Sequence, residues 1–223
     1  MYEKSNITYE IILSFVIFVG FLIVILAIFN PFKAADGSRT SLDILERGIK
    51  NYANVEVASV TIKLNVLENG CFYFDSNLSN IVVRDKNNNF AEGYYNDGKI
   101  YILGEDDFYH IYSSEEFSER TFSGSCHEIF DYKLGIAENY NFISNVSLIN
   151  FVKEYNQEYE KLKNKIGMTN DFSFNIQETG GDMLLSVSKT IPKNVRVIAR
   201  DIPIQIVYST GEFKTAILNI RTW

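Results

Sequence analysis

The run from Ile11 to Phe29, IILSFVIFVGFLIVILAIF, carries no charge, and Ser14 is its only polar side chain. As a helix rising 1.5 Å per residue it would extend about 28 Å, close to the hydrocarbon thickness of a bilayer. It is longer than the apolar core of a secretory signal, and it leads into Asn30-Pro31-Phe32-Lys33 rather than a small-residue cleavage site. The run therefore predicts a retained transmembrane helix over residues 11–32, with a short leader at 1–10 and a separate domain at 33–223.

That domain is long enough for one sizeable core. The whole chain has 21 Lys and Arg against 28 Asp and Glu, a net charge of -7, and the first 32 residues contribute only Lys4 against Glu3 and Glu10. An acidic surface without a basic cluster repels phosphate backbones, which excludes nucleic acid as an expected partner. Aromatic residues reach 14%, but abundant Asn, Ile and Lys beside them match what an AT-rich genome encodes, so composition carries no argument for recognition.

Proline and glycine at Asn30-Pro31 and Asp36-Gly37-Ser38 predict a break after the apolar helix. Thr40 or Ser41 can then cap a second helix over about 40–53, with Leu42, Leu45, Ile49 and Tyr52 on one face. From Val55 the period becomes two, with Ala58, Val60, Ile62, Leu64 and Val66 on the apolar side of a half-buried strand. Short strands are expected at 71–74, 80–83 and 90–95, and Asn96-Asp97-Gly98 predicts a tight hairpin into 99–103, because these residues tolerate positive φ.

Residues 104–146 are weakly patterned and read as loops with one or two short strands. Ser147 begins a second amphipathic helix of about 19 residues carrying Leu148, Phe151, Tyr155, Tyr159, Leu162 and Ile166 at steps of three or four, with Gly167 as its stop. Strands follow at 172–176, 183–188, 195–208 and 213–223, the last two joined through Ser209-Thr210-Gly211-Glu212, and Pro203 predicts an edge or a bulge. The expected fold class is α+β: a transmembrane helix, then a mainly antiparallel sheet with two amphipathic helices.

No catalytic, cofactor or metal constellation stands out, so no enzyme is predicted. His110 and His127 are the only histidines and form no HExxH pattern. Glu105-Asp106-Asp107 with Glu115-Glu116 lacks the spacing and glycine of a calcium loop, and reads as solvated acid. Gly180-Gly181-Asp182 has no phosphate-loop continuation, and Gly124-Ser125-Cys126 lacks the second glycine of a nucleophile elbow.

Cys71 and Cys126 are the two cysteines. Outside the cell they would form a disulfide that stabilises by about 4 kcal/mol on chain-entropy grounds; in the cytoplasm they would be two small core side chains. Flanking charge leaves both orientations open, since Lys4 stands on one side and Lys33 with Arg39 on the other. Asn-x-Ser/Thr sequons at Asn6, Asn77 and Asn145 permit an exterior location, with Asn77 and Asn145 as possible glycosylation sites in the domain.

Ahead of the apolar run stands Glu3-Lys4-Ser5-Asn6-Ile7-Thr8-Tyr9-Glu10. This resembles the class III signal of type IV pilin-like proteins in its archaeal-type form: a charged leader, a small residue at the cut, then Gln-x-Ser-x-Glu before the hydrophobic helix. Here Ser5 stands before the cut, Asn6 in the Gln position, Thr8 in the Ser position and Glu10 in the position of the glutamate that aligns one subunit with its neighbour. The resemblance covers about 25 residues. It implies a cytoplasmic leader, processing between Ser5 and Asn6 by a prepilin-type peptidase, assembly through Glu10, a globular domain outside the cytoplasm and a bonded Cys71–Cys126 pair.

The expectation is thus a membrane-anchored cell-surface structural protein, a pilin-like subunit or minor component. Its expected partners are the lipid bilayer, other copies of itself and envelope proteins. The second reading is a single-pass anchored binding or scaffold protein that does not assemble into filaments.

Overall fold

A computed structural model describes the backbone of residues 3–29, 31–65 and 70–223 and the side chains of 12–25, 40–65 and 70–223. The chain divides into two units, Met1–Ser41 and Leu42–Trp223.

In the first unit, helix α1 (Glu3–Phe29) carries the uncharged apolar run that begins at Ile11. Most of its described large side chains are open to solvent, from Leu22 at 40% to Phe15 at 66%, while Val19 and Ile25 are half-buried. No helix among the described residues is long and apolar enough to cross a membrane. The expected transmembrane helix over 11–32, and the single-pass membrane character built on it, are corrected on this finding.

Helix α2 (Pro31–Ala53) starts on proline, whose missing N–H costs nothing at a first helical position, and runs on through Asp36-Gly37-Ser38 without the expected break. From Leu42 it belongs to the second unit, where Leu42, Leu45, Ile49 and Ala53 are buried, the apolar face expected from their spacing.

Nine strands follow: β1 (Asn54–Leu64), β2 (Gly70–Asp75), β3 (Ile81–Asp85), β4 (Phe90–Asn96), β5 (Lys99–Gly104), β6 (Phe108–Ser113), β7 (His127–Glu128), β8 (Tyr132–Leu134) and β9 (Glu138–Ser144). Helices α3 (Asn145–Gln157) and α4 (Tyr159–Lys165) then lead to β10 (Phe172–Glu178), β11 (Met183–Val187), β12 (Ile198–Val207) and β13 (Phe213–Thr222). The strands join in the order β11-β10-β13-β12-β9-β1-β6-β3-β4-β5-β2-β7, with β8 also on β1.

The expected α+β class with a mainly antiparallel sheet is therefore corrected: the domain is mostly β, one mixed sheet of 13 strands with few helices. Parallel pairs β9–β12 and β2–β7 make it mixed. The expected long helix is also divided, because Glu158 leaves helical geometry at φ -136 between α3 and α4.

Two main cores result. On one side α2, α3 and α4 lay Leu45, Ile49, Leu148, Phe151 and Leu162 on Phe172, Phe174, Leu218 and Ile220 of β10 and β13. On the other, β1, β3 and β6 face β2 and β5 across Ile62, Phe72, Ile100, Ile102, Tyr109 and Ile111. The sheet curls between these layers at β4, which pairs with β3 at Phe90–Ala91 and with β5 from Glu92 onward. Gly93 allows the turn-over: a Cβ there would sit 2.8 Å from Cβ of Val83. The hairpin from β4 to β5 forms as expected, with Asp97 at φ 51 and Gly98 at φ 79.

Asp171 pins the helical layer to the sheet by accepting from Lys163 at 2.9 Å, Tyr159 at 3.0 Å and Lys189 at 3.2 Å. Burial pushes its carboxyl up, but the bonds from Lys163, Lys189 and Tyr159 outweigh it and hold the group below the usual carboxylate value. A depressed folded value means that this stabilisation is complete above the unfolded carboxylate range and is lost as pH falls through the folded value. Thermal melts between pH 6 and pH 2.5 should show a fall that steepens below about pH 4, and Asp171→Asn should flatten that acid limb while lowering stability at pH 6.

Candidate binding cleft

Alternation along β1 puts Val55, Val57, Ser59 and Thr61 on the face opposite the core formed by Val60, Ile62 and Leu64. Register carries this face across the neighbours: Ser59 stands beside Tyr112 and Thr61 beside His110 on β6, and Ser59 beside Glu138, Val57 beside Tyr140 and Val55 beside Phe142 on β9. Strands β9 and β12 pair only at Ile143–Ile206 and Ser144–Val207 and then part. The β12–β13 end stands against this face, with Gln205 and Thr215 paired and Phe213 beside Val207.

Together these residues bound a cleft of about 730 Å³, lined by Ser59, Thr61, His110, Tyr112, Ile136, Glu138, Tyr140, Phe142, Gln205, Phe213, Lys214 and Thr215. Its wall is fastened from beneath. Val57, Val82, Phe117 and Val207 form a small core there, with Phe142 and Phe213 packed on it. Arg84 is buried without an acidic partner among the described residues; its guanidinium lies 4.2 Å from the Phe90 ring and donates to the carbonyl oxygens of Asn88 at 2.8 Å and Gly211 at 3.0 Å. This ties the β12–β13 turn to β3. Gly211 makes that turn at φ 85.

Aromatic rings form an arc in and beside the cleft: Phe108–His110 at 4.9 Å, His110–Tyr112 at 6.4 Å, Tyr112–Phe213 at 5.3 Å, Phe213–Phe142 at 4.9 Å and Phe142–Tyr140 at 6.3 Å. The Tyr140 hydroxyl donates to Glu138, and this bond, with a smaller contribution from burial, raises the phenol above its usual value. Lys214 donates to Glu178 at 2.8 Å, which raises its ammonium. What such a lining can do chemically is hold and orient a ligand between aromatic faces and hydrogen-bonding side chains.

The residues singled out in the sequence lie elsewhere or play other parts, apart from His110. Cys71 and Cys126 are bonded, with Cα atoms 4.8 Å apart, joining β2 to the segment that leads into β7. Asn77 is exposed after β2, and Asn145 is half-buried at the start of α3. Ser5, Asn6 and Glu10 fall outside the described side chains. Asp106 pairs with Lys86 at 2.8 Å, and Glu116 accepts from Ser144 Oγ at 2.7 Å and the amide of Val146 at 3.3 Å. Among the described residues no group of His, Cys, Asp and Glu could hold a metal ion. Sequence reasoning missed Ser59, Thr61, Tyr112, Tyr140, Phe142 and Phe213, and the available signal was a strand in which aromatic residues occupy both faces.

No protein-family profile, no curated protein and no solved structure matches this chain.

Proposed function

We propose that this protein is a cell-surface structural subunit of the type IV pilin-like kind, in which α1 brings copies together and the β domain faces outward. The observation that carries this reading is α1 itself. Between Ile12 and Val24 its described large apolar side chains other than the half-buried Val19 are 40–66% exposed. A contiguous apolar surface of this kind needs a partner of like chemistry, and an identical helix supplies one. The Cys71–Cys126 bond supports an oxidising exterior location for the domain. The Ser5-Asn6 and Glu10 pattern supports maturation before assembly.

The test is the association state of the full chain. Sedimentation should show species of many copies, and Glu10→Ala should weaken association by about tenfold or more, because a carboxylate at the edge of an apolar helix is costly without its partner. The melting temperature of the β domain should not change. A monomer under the same conditions, indifferent to Glu10, would favour the second reading, a non-assembling binding or scaffold protein of the envelope, which the cleft supports.

A further inference from the structure

We propose that the cleft bounded by β1, β6, β9 and the β12–β13 end is a binding site for neutral glycans, with a hexopyranose ring stacked on its aromatic arc. This does not depend on assembly through α1. Three properties of the cleft select the ligand. Its volume of about 730 Å³ lies in the range of small-molecule sites and is large enough for a short oligosaccharide. Its lining combines the aromatic side chains of Tyr112, Tyr140, Phe142 and Phe213 with hydroxyl and amide groups of Ser59, Thr61, Thr215 and Gln205. Its charged members are one acid, Glu138, and one base, Lys214, and the base is already held by Glu178 at 2.8 Å.

A pyranose matches this arrangement. Its C–H faces are weakly positive and lie against the negative faces of aromatic rings, while its equatorial hydroxyls both donate and accept at the ring's edge. An acyl chain would fill the same space but strip water from Ser59, Thr61, Gln205 and Thr215 without replacing their hydrogen bonds. A phosphorylated or strongly acidic ligand would meet Glu138 and an acidic protein. Tyr140 is the exposed platform, at 42%, and the adjacent Ile136, at 85%, extends the apolar lip.

The test is calorimetric titration of the full chain with maltose, cellobiose, lactose and chitobiose, beside a uronic-acid disaccharide and an extended-peptide library. At least one neutral disaccharide should bind with a Kd of about 0.1–10 mM, unaffected by ionic strength. Tyr140→Ala should weaken it by about three- to tenfold, and Tyr140→Phe should restore it to within about twofold. Tyr101→Ala, in a separate ring cluster with Tyr73 and Phe122, should leave affinity unchanged, and all variants should melt as wild type does. The proposal is overturned if no neutral saccharide binds, if binding persists in Tyr140→Ala or falls in Tyr101→Ala, if salt weakens it, or if only the acidic sugar or peptides bind.

Discussion

Removing residues 213–223 should leave the β domain unable to fold. Strand β13 pairs along its whole length with β12 and over seven positions with β10, so its loss separates β10–β11 from β12 and opens two ladders at once. Ala216, Leu218 and Ile220 are buried beneath the helices, each at 1% exposure or less. Burial of a large aliphatic side chain contributes about 1.5–3 kcal/mol, and the freed strand edges would invite aggregation. The truncated chain should appear in the insoluble fraction. The graded version is Leu218→Ala, which should cost about 2–5 kcal/mol, or about 4–20 °C in melting temperature for a domain of this size. A truncated chain that melts as wild type does would refute the placement of β13.

Reduction should cost nearly as much. The Cys71–Cys126 bond spans 55 residues of sequence, a loop whose closure removes about 4 kcal/mol of unfolded-state entropy. Without it, β7 is held to β2 by the paired positions Phe72–His127 and Tyr73–Glu128 and by the Ile129 amide donating to the Tyr73 carbonyl at 3.0 Å. A reductant should therefore lower the melting temperature by about 8–16 °C, and Cys71→Ser should do the same without it. Two thiols that alkylate in unreduced native protein would contradict the bond.

Regular periods were legible in the sequence, and mixed ones were not. The faces of α2 and β1, the turn at Asp97-Gly98 and the start of β10 follow directly from residue spacing. Pro203 suggested an edge or a bulge; β12 instead lies inside the strand order between β13 and β9, and Pro203 pairs with Ile217 of β13, while the described β9 ladder is confined to Ile206 and Val207. The stretch 104–146, expected as loops with one or two short strands, holds β6, β7, β8 and β9, and β6, β8 and β9 all pair with β1. Their pattern was hidden because β6 reads Phe-Tyr-His-Ile-Tyr, with Tyr109 and Ile111 in one core and Phe108, His110 and Tyr112 toward the cleft. The cleft needs strands distant in sequence, Ser59 beside Glu138 and Val207 beside Phe213, so spacing within any one segment could not reveal it. The break at Glu158 interrupts an apolar period that continues through it, and nothing in the structure explains why α3 stops there.

Native mass spectrometry of protein taken from its own cells tests the central claim most directly. The account predicts assemblies of several copies, each subunit beginning at Asn6 and lighter by two hydrogens for the Cys71–Cys126 bond. A single copy that retains residues 1–5 and carries free thiols would contradict it.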